Sequence, residues 1–248
     1  MDIKGKTALI TGGGAGIGRA TALALAARGA GHIVVADIDG AAAAETAALA
    51  QAAGSRALAR AVDVTDLAAL TALFAEAEAA APLDIVFNNA GVVSGSPAFP
   101  DIPLARLLRT VQINLLAMMA GTQLAIDLFR ARGARGVIVN TSSVAAFAPM
   151  TQDPAYSASK VGILNFTQAC APLGESHGIR VNAVCPGVTD TAIVKATGDG
   201  VTPAAWLAPA LARVKLLTPD DIARAVIDLI EDETKAGAHT VVQNEAAA

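Results

Sequence analysis

At 248 residues and a net charge of −4, the chain is long enough for one large α/β domain or two small ones. Apolar residues make up 54% but aromatics only 3%, so the core must be built from Ala, Val, Leu and Ile, as suits a parallel sheet packed closely by helices. Lysines and arginines form no basic stripe, which excludes a nucleic-acid footprint, and His32, His177 and His239 are too scattered for metal ligation.

The N-terminus runs straight into a strand with no signal-peptide pattern, and no apolar run could span a bilayer without a charged or strongly polar interruption. Cys170 and Cys185 lack paired-ligand spacing and read as buried thiols of a reducing compartment. A soluble, cytoplasmic protein is expected, without nucleic-acid or membrane partners.

Thr7–Ile10 is a short strand that stops at Thr11-Gly12-Gly13-Gly14-Ala15-Gly16-Ile17-Gly18, and an Ala/Leu helix follows from Arg19 to Arg28. Gly29 ends that helix, and His32–Ala36 forms a second strand closing at Asp37-Ile38. This is one strand–turn–helix–strand unit, the context in which a glycine pattern gains meaning. Gly12 permits a tight turn, Gly16 lets backbone approach a pyrophosphate, and Gly18 lets helix and strand pack closely; the helix's free N–H groups then face phosphates. Asp37 stands where a carboxylate accepts hydrogen bonds from an adenosine ribose and repels a 2′-phosphate, which argues for NAD over NADP; the competing reading is an exposed turn acid.

A helix over 41–54, a strand over Arg56–Val62 and a helix capped by Asp66 and running to Ala80 come next. Asp63, at the strand end, could meet an adenine amine. The strand Ile85–Phe87 ends at Asn88-Asn89-Ala90-Gly91, which suits either a loop beside a flat ligand or an ordinary turn. A long helix over Leu104–Arg130 carries Asn114 inside an apolar pattern, where an amide can bend a helix and hold water.

The strand 137–141 leads to Ser142-Ser143, and Asp153-Pro154 is the N-cap and first position of a helix expected to reach about Gly174. Tyr156 and Lys160, four apart, share one face of its first turns. A strand over Ile179–Cys185 ends at Pro186-Gly187. Residues 188–217, with Thr189 and Thr191 near their start, form a broken connection of the kind that is usually functional: a substrate lid. A helix capped by Thr218 runs to about Ile230, and a short strand lies near Thr240–Val242. Nothing divides the chain, so a single domain over 1–248 is expected.

Thr11-Gly12-x-x-x-Gly16-x-Gly18, Asn88-Asn89-Ala90-Gly91, Asn114, Ser143, Tyr156-x-x-x-Lys160 and Pro186-Gly187, in this order, closely resemble the short-chain dehydrogenase/reductase family. The resemblance implies a single α/β domain of Rossmann type with a doubly wound, seven-stranded parallel sheet, and NAD(P)-dependent interconversion of alcohols and carbonyls. It implies catalytic roles for Asn114, Ser143, Tyr156 and Lys160. Cofactor contacts are implied at Gly12, Gly14, Gly16, Ile17, Gly18, Asp37, Ile38, Asp63, Val64, Asn89, Tyr156, Lys160, Pro186, Gly187, Thr189 and Thr191. Relatives commonly assemble through their two long helices, here about 104–130 and 155–173, so a homodimer or homotetramer is implied.

Val181–Gly187, Thr191-Ala192-Ile193 and Leu229–Asp232 further resemble the NAD-linked 15-hydroxyprostaglandin dehydrogenases. Those carry a substrate-binding Gln three positions before the tyrosine, whereas this chain has Asp153 there and Gln152 one position earlier. The ending Val241–Glu245 departs from the family's Val-Asp-Gly-Gly.

These residue types suit the chemistry. A tyrosine at its free pKa of about 10 is a poor base near neutrality, and Lys160 with a cationic nicotinamide supplies the sign of shift required. Ser143 can hold a substrate oxygen, and Asn114 a water that returns the proton to bulk. Val93, Phe99, Phe147, Met150, Ile193, Trp206 and Leu207 are candidate walls of an apolar pocket, or plain packing. The expected activity is NAD-dependent oxidation of a small-to-medium apolar secondary alcohol. The alternatives are a 3-oxoacyl-thioester reductase and a dinucleotide-sensing regulator with a silent site.

Overall fold

A computed structural model of the chain describes residues 1–247. Its strands are β1 (Thr7–Thr11), β2 (His32–Asp37), β3 (Arg56–Ala61), β4 (Ile85–Asn88), β5 (Gly136–Thr141), β6 (Ile179–Pro186) and β7 (His239–Val242). All pair in parallel, in the order β3-β2-β1-β4-β5-β6-β7. β1 is flanked on both sides, Leu9 lying opposite Val34 of β2 and Val86 of β4. The helices are α1 (Gly16–Ala27), α2 (Gly40–Ala52), α3 (Leu67–Ala80), α4 (Leu104–Val111), α5 (Met118–Ala131), α6 (Pro154–Ala169), α7 (Pro172–His177), α8 (Ala192–Ala196), α9 (Ala208–Leu211) and α10 (Pro219–Glu231).

A sheet buried on both faces explains the continuous apolar strands. One face takes Leu25 and Ala22 of α1, Ala43 and Ala47 of α2, and Ile222 and Val226 of α10. The other takes Leu70, Leu73 and Phe74 of α3 with Ala125, Ile126 and Phe129 of α5. The chain order reverses between β1 and β4, and in such sheets ligands bind outside the carboxyl ends of the strands at that point.

Two helices differ from expectation. The stretch Leu104–Ala131 is interrupted by a π-helical segment, Gln112–Ala117, between α4 and α5. By length and hydropathy it would pass for a membrane span, but its polar Asn114 and Thr122 are fully buried, as in a core helix. The helix expected to run from Pro154 to Gly174 instead stops at Ala169, and α7 starts afresh at Pro172. Proline has no N–H to continue the ladder, so the chain turns before it.

One buried charge went unforeseen. Arg180 on β6, 5% exposed, donates to the carbonyls of Leu229, Ile230 and Asp232, satisfying the C-terminal end of α10. Burial lowers the pKa of its guanidinium.

Candidate active site

A cleft of about 720 Å³ crosses the carboxyl ends of the strands, from β2 and β3 at one end to β5, β6 and the segment 188–217 at the other. Its middle is the glycine turn between β1 and α1. Gly12 and Gly16 have φ of 64° and 51°, backbone that side chains rarely adopt. A Cβ on Gly12 would press on the main chain of Ala90, and one on Gly16 would lie 3.1 Å from Thr191 Cγ2 across the cleft. Ala15, at the N-cap of α1, offers no side-chain cap, so the helix's first N–H groups are left for a ligand. This bare, uncapped cradle fits a pyrophosphate, and Gly12, Gly16 and Ile17 line it.

Gly14 and Gly18 do not line the cleft. The Gly14 N–H donates to Asp37 Oδ2 at 2.8 Å, and a Cβ on Gly18 would collide with the Gly12 carbonyl. Both glycines shape the turn from behind.

Asp37 and Ile38 line the end near β2. Besides Gly14 N–H, Asp37 accepts from its own turn, Asp39 N–H. Arg19, the first basic residue after the glycine turn, faces away: it donates to the Gly14 carbonyl, Thr46 Oγ1 and Glu45. Asp63 and Val64 line the same end. The Asp63 carboxylate accepts from Thr65 N–H and Oγ1 and pairs with Arg109 at 3.0 Å, contacts that lower its pKa, the Thr65 bonds foremost. That leaves less of the carboxylate for an adenine amine than the sequence suggested.

At the other end Ser143, Tyr156 and Lys160 converge on one wall. Asp153 caps α6, accepting the Tyr156 N–H on Oδ1 at 3.1 Å. Its carboxylate also accepts Ser94 N–H at 2.7 Å and Ser94 Oγ at 2.8 Å, and that hydroxyl shares a hydrogen bond with Thr110 of α4. One buried carboxylate thus ties the loop after β4, α4 and the first turn of α6. Ser142 donates to the Lys160 carbonyl and serves the scaffold.

The Lys160 amine donates to the Thr141 carbonyl at 2.8 Å and lies 5.5 Å from the Tyr156 ring centroid. Burial pulls its pKa down to about 8, with Cys185 acting the other way. Burial also holds the Tyr156 phenol above its ordinary pKa; a hydrogen bond with Ser143 opposes this and the Asp153 charge adds to it. Desolvation is the largest of these influences, so without a cationic nicotinamide the site favours the neutral phenol.

The family model for short chain dehydrogenases matches residues 6–201. The chain belongs to this family. It is 34% identical over 250 residues to the human 15-hydroxyprostaglandin dehydrogenase [NAD(+)], covering 96% of this chain and 91% of that one. It is 35% identical over 229 residues to the cis-4-hydroxycyclohexanecarboxylate dehydrogenase of Sinomonas cyclohexanicum, covering 92% and 90%. A probable oxidoreductase EphD of Mycobacterium tuberculosis is 41% identical over 192 residues, 76% of this chain, but the chain spans only 32% of that protein's length. Among solved structures, levodione reductase superposes with a TM-score of 0.88 at 27% identity, covering 97% and 96%.

Within this short-chain dehydrogenase the remaining residues sort by position. Asn89, Pro186, Gly187, Thr189 and Thr191 line the cleft. Asn114 does not: fully buried in the π segment, it accepts Val92 N–H and donates to the Val92 carbonyl and Ser159. It holds the loop after β4 in place; a Cβ on Gly91 would lie between Asn114 Oδ1 and Lys160 Nζ, at 3.3 and 3.6 Å. Of the candidate wall residues, Val93, Met150, Ile193, Trp206 and Leu207 line the cleft. Phe99 and Phe147 do not; both are about half exposed, Phe147 packing against His239.

Two arrangements escaped sequence reasoning. Beneath the site, Asn88 donates to Thr122 and Asn140, and Asn140 donates to Thr167, a buried polar ladder joining β4, β5, α5 and α6. At the lid, Asn244 accepts Val188 N–H and donates to the carbonyls of Val188 and Lys215, so one tail residue pins both ends of the segment 188–217. The only sequence signal for the ladder was a polar residue beside apolar ones, as at Asn140 after Val139; Asn244, between Gln243 and Glu245, carried none.

Proposed function

We propose that the chain is an NAD-dependent dehydrogenase interconverting an apolar secondary alcohol and its ketone. The observation that carries this reading is the convergence of Ser143, Tyr156 and Lys160 on the wall of a cleft whose middle is the glycine turn and whose other end holds Asp37. The oxidised nicotinamide, when bound, accepts the hydride and brings a positive charge.

Tyr156 takes the hydroxyl proton from the alcohol and Ser143 holds its oxygen. The phenol's pKa stands above its ordinary value, so at least about 4 kcal/mol of phenolate preference is needed near neutrality. Lys160, beside the ring and able to leave Thr141 for ribose hydroxyls, contributes part of that preference and part of the binding. Gly12, Gly16 and Ile17 receive the pyrophosphate, and Asp37 takes ribose hydroxyls and disfavours a 2′-phosphate. Asn114 acts from behind through Val92.

Exposed Leu104, Leu108 and Leu116 with Val161 suit assembly of copies through the α4–α6 face. The unpaired cysteines suit a cytoplasmic location.

Nicotinamide absorbance with a panel of alcohols tests the reading. Tyr156→Phe is expected to bind NAD and lose turnover, and Asp37→Ala to raise KM for NAD and relax discrimination against NADP. Appreciable turnover by Tyr156→Phe would remove that residue from its role, and unchanged nucleotide constants in Asp37→Ala would remove Asp37.

A further inference from the structure

The charged side chains lining the cleft are Asp37, Asp63, Arg109 and Lys160. The first three stand together at the β2–β3 end: Asp63 and Arg109 pair with each other, and Asp37 accepts from the glycine turn. Lys160 is 2% exposed, with its amine on the Thr141 carbonyl. Beyond Tyr156 no lysine, arginine, histidine, aspartate or glutamate lines the wall among the described residues.

That half is built from Val93, Met150, Ile193, Val194 and Leu207, with neutral polar groups on Thr151, Gln152, Thr197 and Trp206. Thr197 is already satisfied, donating to the Val194 carbonyl and accepting from Ala204 N–H. Charged groups nearby in the chain are turned elsewhere. Asp153 is spent on Ser94 and Tyr156, the Arg106 guanidinium donates to the Ser96 carbonyl, and Asp199 caps the turn at Val201 and Thr202. Lys195 lies on the exposed side of the lid and does not line the cleft.

We infer that the substrate is an electrically neutral secondary alcohol or ketone, and that alcohols bearing a carboxylate are discriminated against. A carboxylate drawn into this wall would lose its water and meet no cation, and an uncompensated buried charge is far costlier than the apolar contacts such a molecule gains. A neutral ester, ether or second carbonyl has Thr151 and Gln152 available as partners. This sets the chain apart from the relative named for a hydroxycyclohexanecarboxylate, despite their 35% identity.

The inference rests on the proposed dehydrogenase reading, and the test separates the two. Matched pairs of free acid and methyl ester would be assayed with the full chain and NAD: cis-4-hydroxycyclohexanecarboxylate, a terminal-carboxylate long-chain secondary alcohol, and a neutral cyclohexanol series. The ester is expected to exceed the acid in kcat/KM by about a hundredfold, about 2.7 kcal/mol of transition-state binding. An acid turned over within tenfold of its ester would overturn the charge inference and leave the dehydrogenase reading intact. Failure to oxidise any alcohol or reduce any ketone while nucleotide still binds would overturn the reading, and the inference with it.

Discussion

Asp153 offers the sharpest test of how the site is held. In Asp153→Ala the Tyr156 N–H loses its cap and Ser94 loses the acceptors for both N–H and hydroxyl, in a position only 3% exposed. A lost N-cap costs about 1 kcal/mol and a stranded buried donor about 1–3 kcal/mol, so about 2–4 kcal/mol is expected in all. For a chain of this size that lowers Tm by about 4–16 °C. Asp153→Asn keeps one oxygen for Tyr156 N–H but turns an amide N–H toward Ser94 N–H, so it should fall between wild type and Ala. The two variants also separate geometry from charge. The Asp153 carboxylate pushes the Tyr156 pKa up, so removing the charge lets it fall. The rising limb of kcat/KM against pH should therefore move to lower pH in Asp153→Asn. Thermal unfolding followed by circular dichroism and a pH–rate profile read the two effects. An Ala variant melting within about 2 °C of wild type, or an Asn variant whose limb moves to higher pH, would refute the clasp.

Other outcomes follow from the same contacts. Gly18→Ala would drive a Cβ into the Gly12 carbonyl; NADH fluorescence titration should show nucleotide binding lost, and wild-type affinity would contradict the geometry of the turn. Lys160, held at a pKa of about 8 against 10.5 when unfolded, carries a burial penalty in full below pH 8 that is relieved as pH rises from about 8 to 10.5. Denaturant unfolding of wild type and Lys160→Met over this window should show wild type gaining up to about 3 kcal/mol relative to the variant; a flat difference would show that the amine is not desolvated. Asn244→Ala removes the bonds to Val188 and Lys215, so substrate KM should rise about threefold to tenfold and proteolysis within 188–217 should quicken. An unchanged lid would mean that the backbone bonds of its base, such as Leu217 N–H to the Val188 carbonyl, suffice alone.

Much of this molecule was legible without coordinates, because local physics dictates it. Buried parallel strands must be continuously apolar, a turn entering positive φ requires glycine, and Asp-Pro can start a helix, so β1, the glycine turn, β2 and the beginning of α6 could be read directly. Tyr156 and Lys160 share a face by spacing alone.

Tertiary structure decided whatever depends on partners far away in sequence. Whether Asp37 braces Gly14, whether Asp63 pairs with Arg109, and whether Asn114 faces the cleft or Val92 are settled by elements packed from elsewhere. The tyrosine's raised pKa is of the same kind: spacing brings Lys160 near, but the desolvation that raises the phenol comes from elements packed around it. The lid is the clearest case. Its broken composition marked it as irregular, yet its anchorage at both ends by Asn244 joins residues 29 and 56 positions apart, a contact no local pattern encodes.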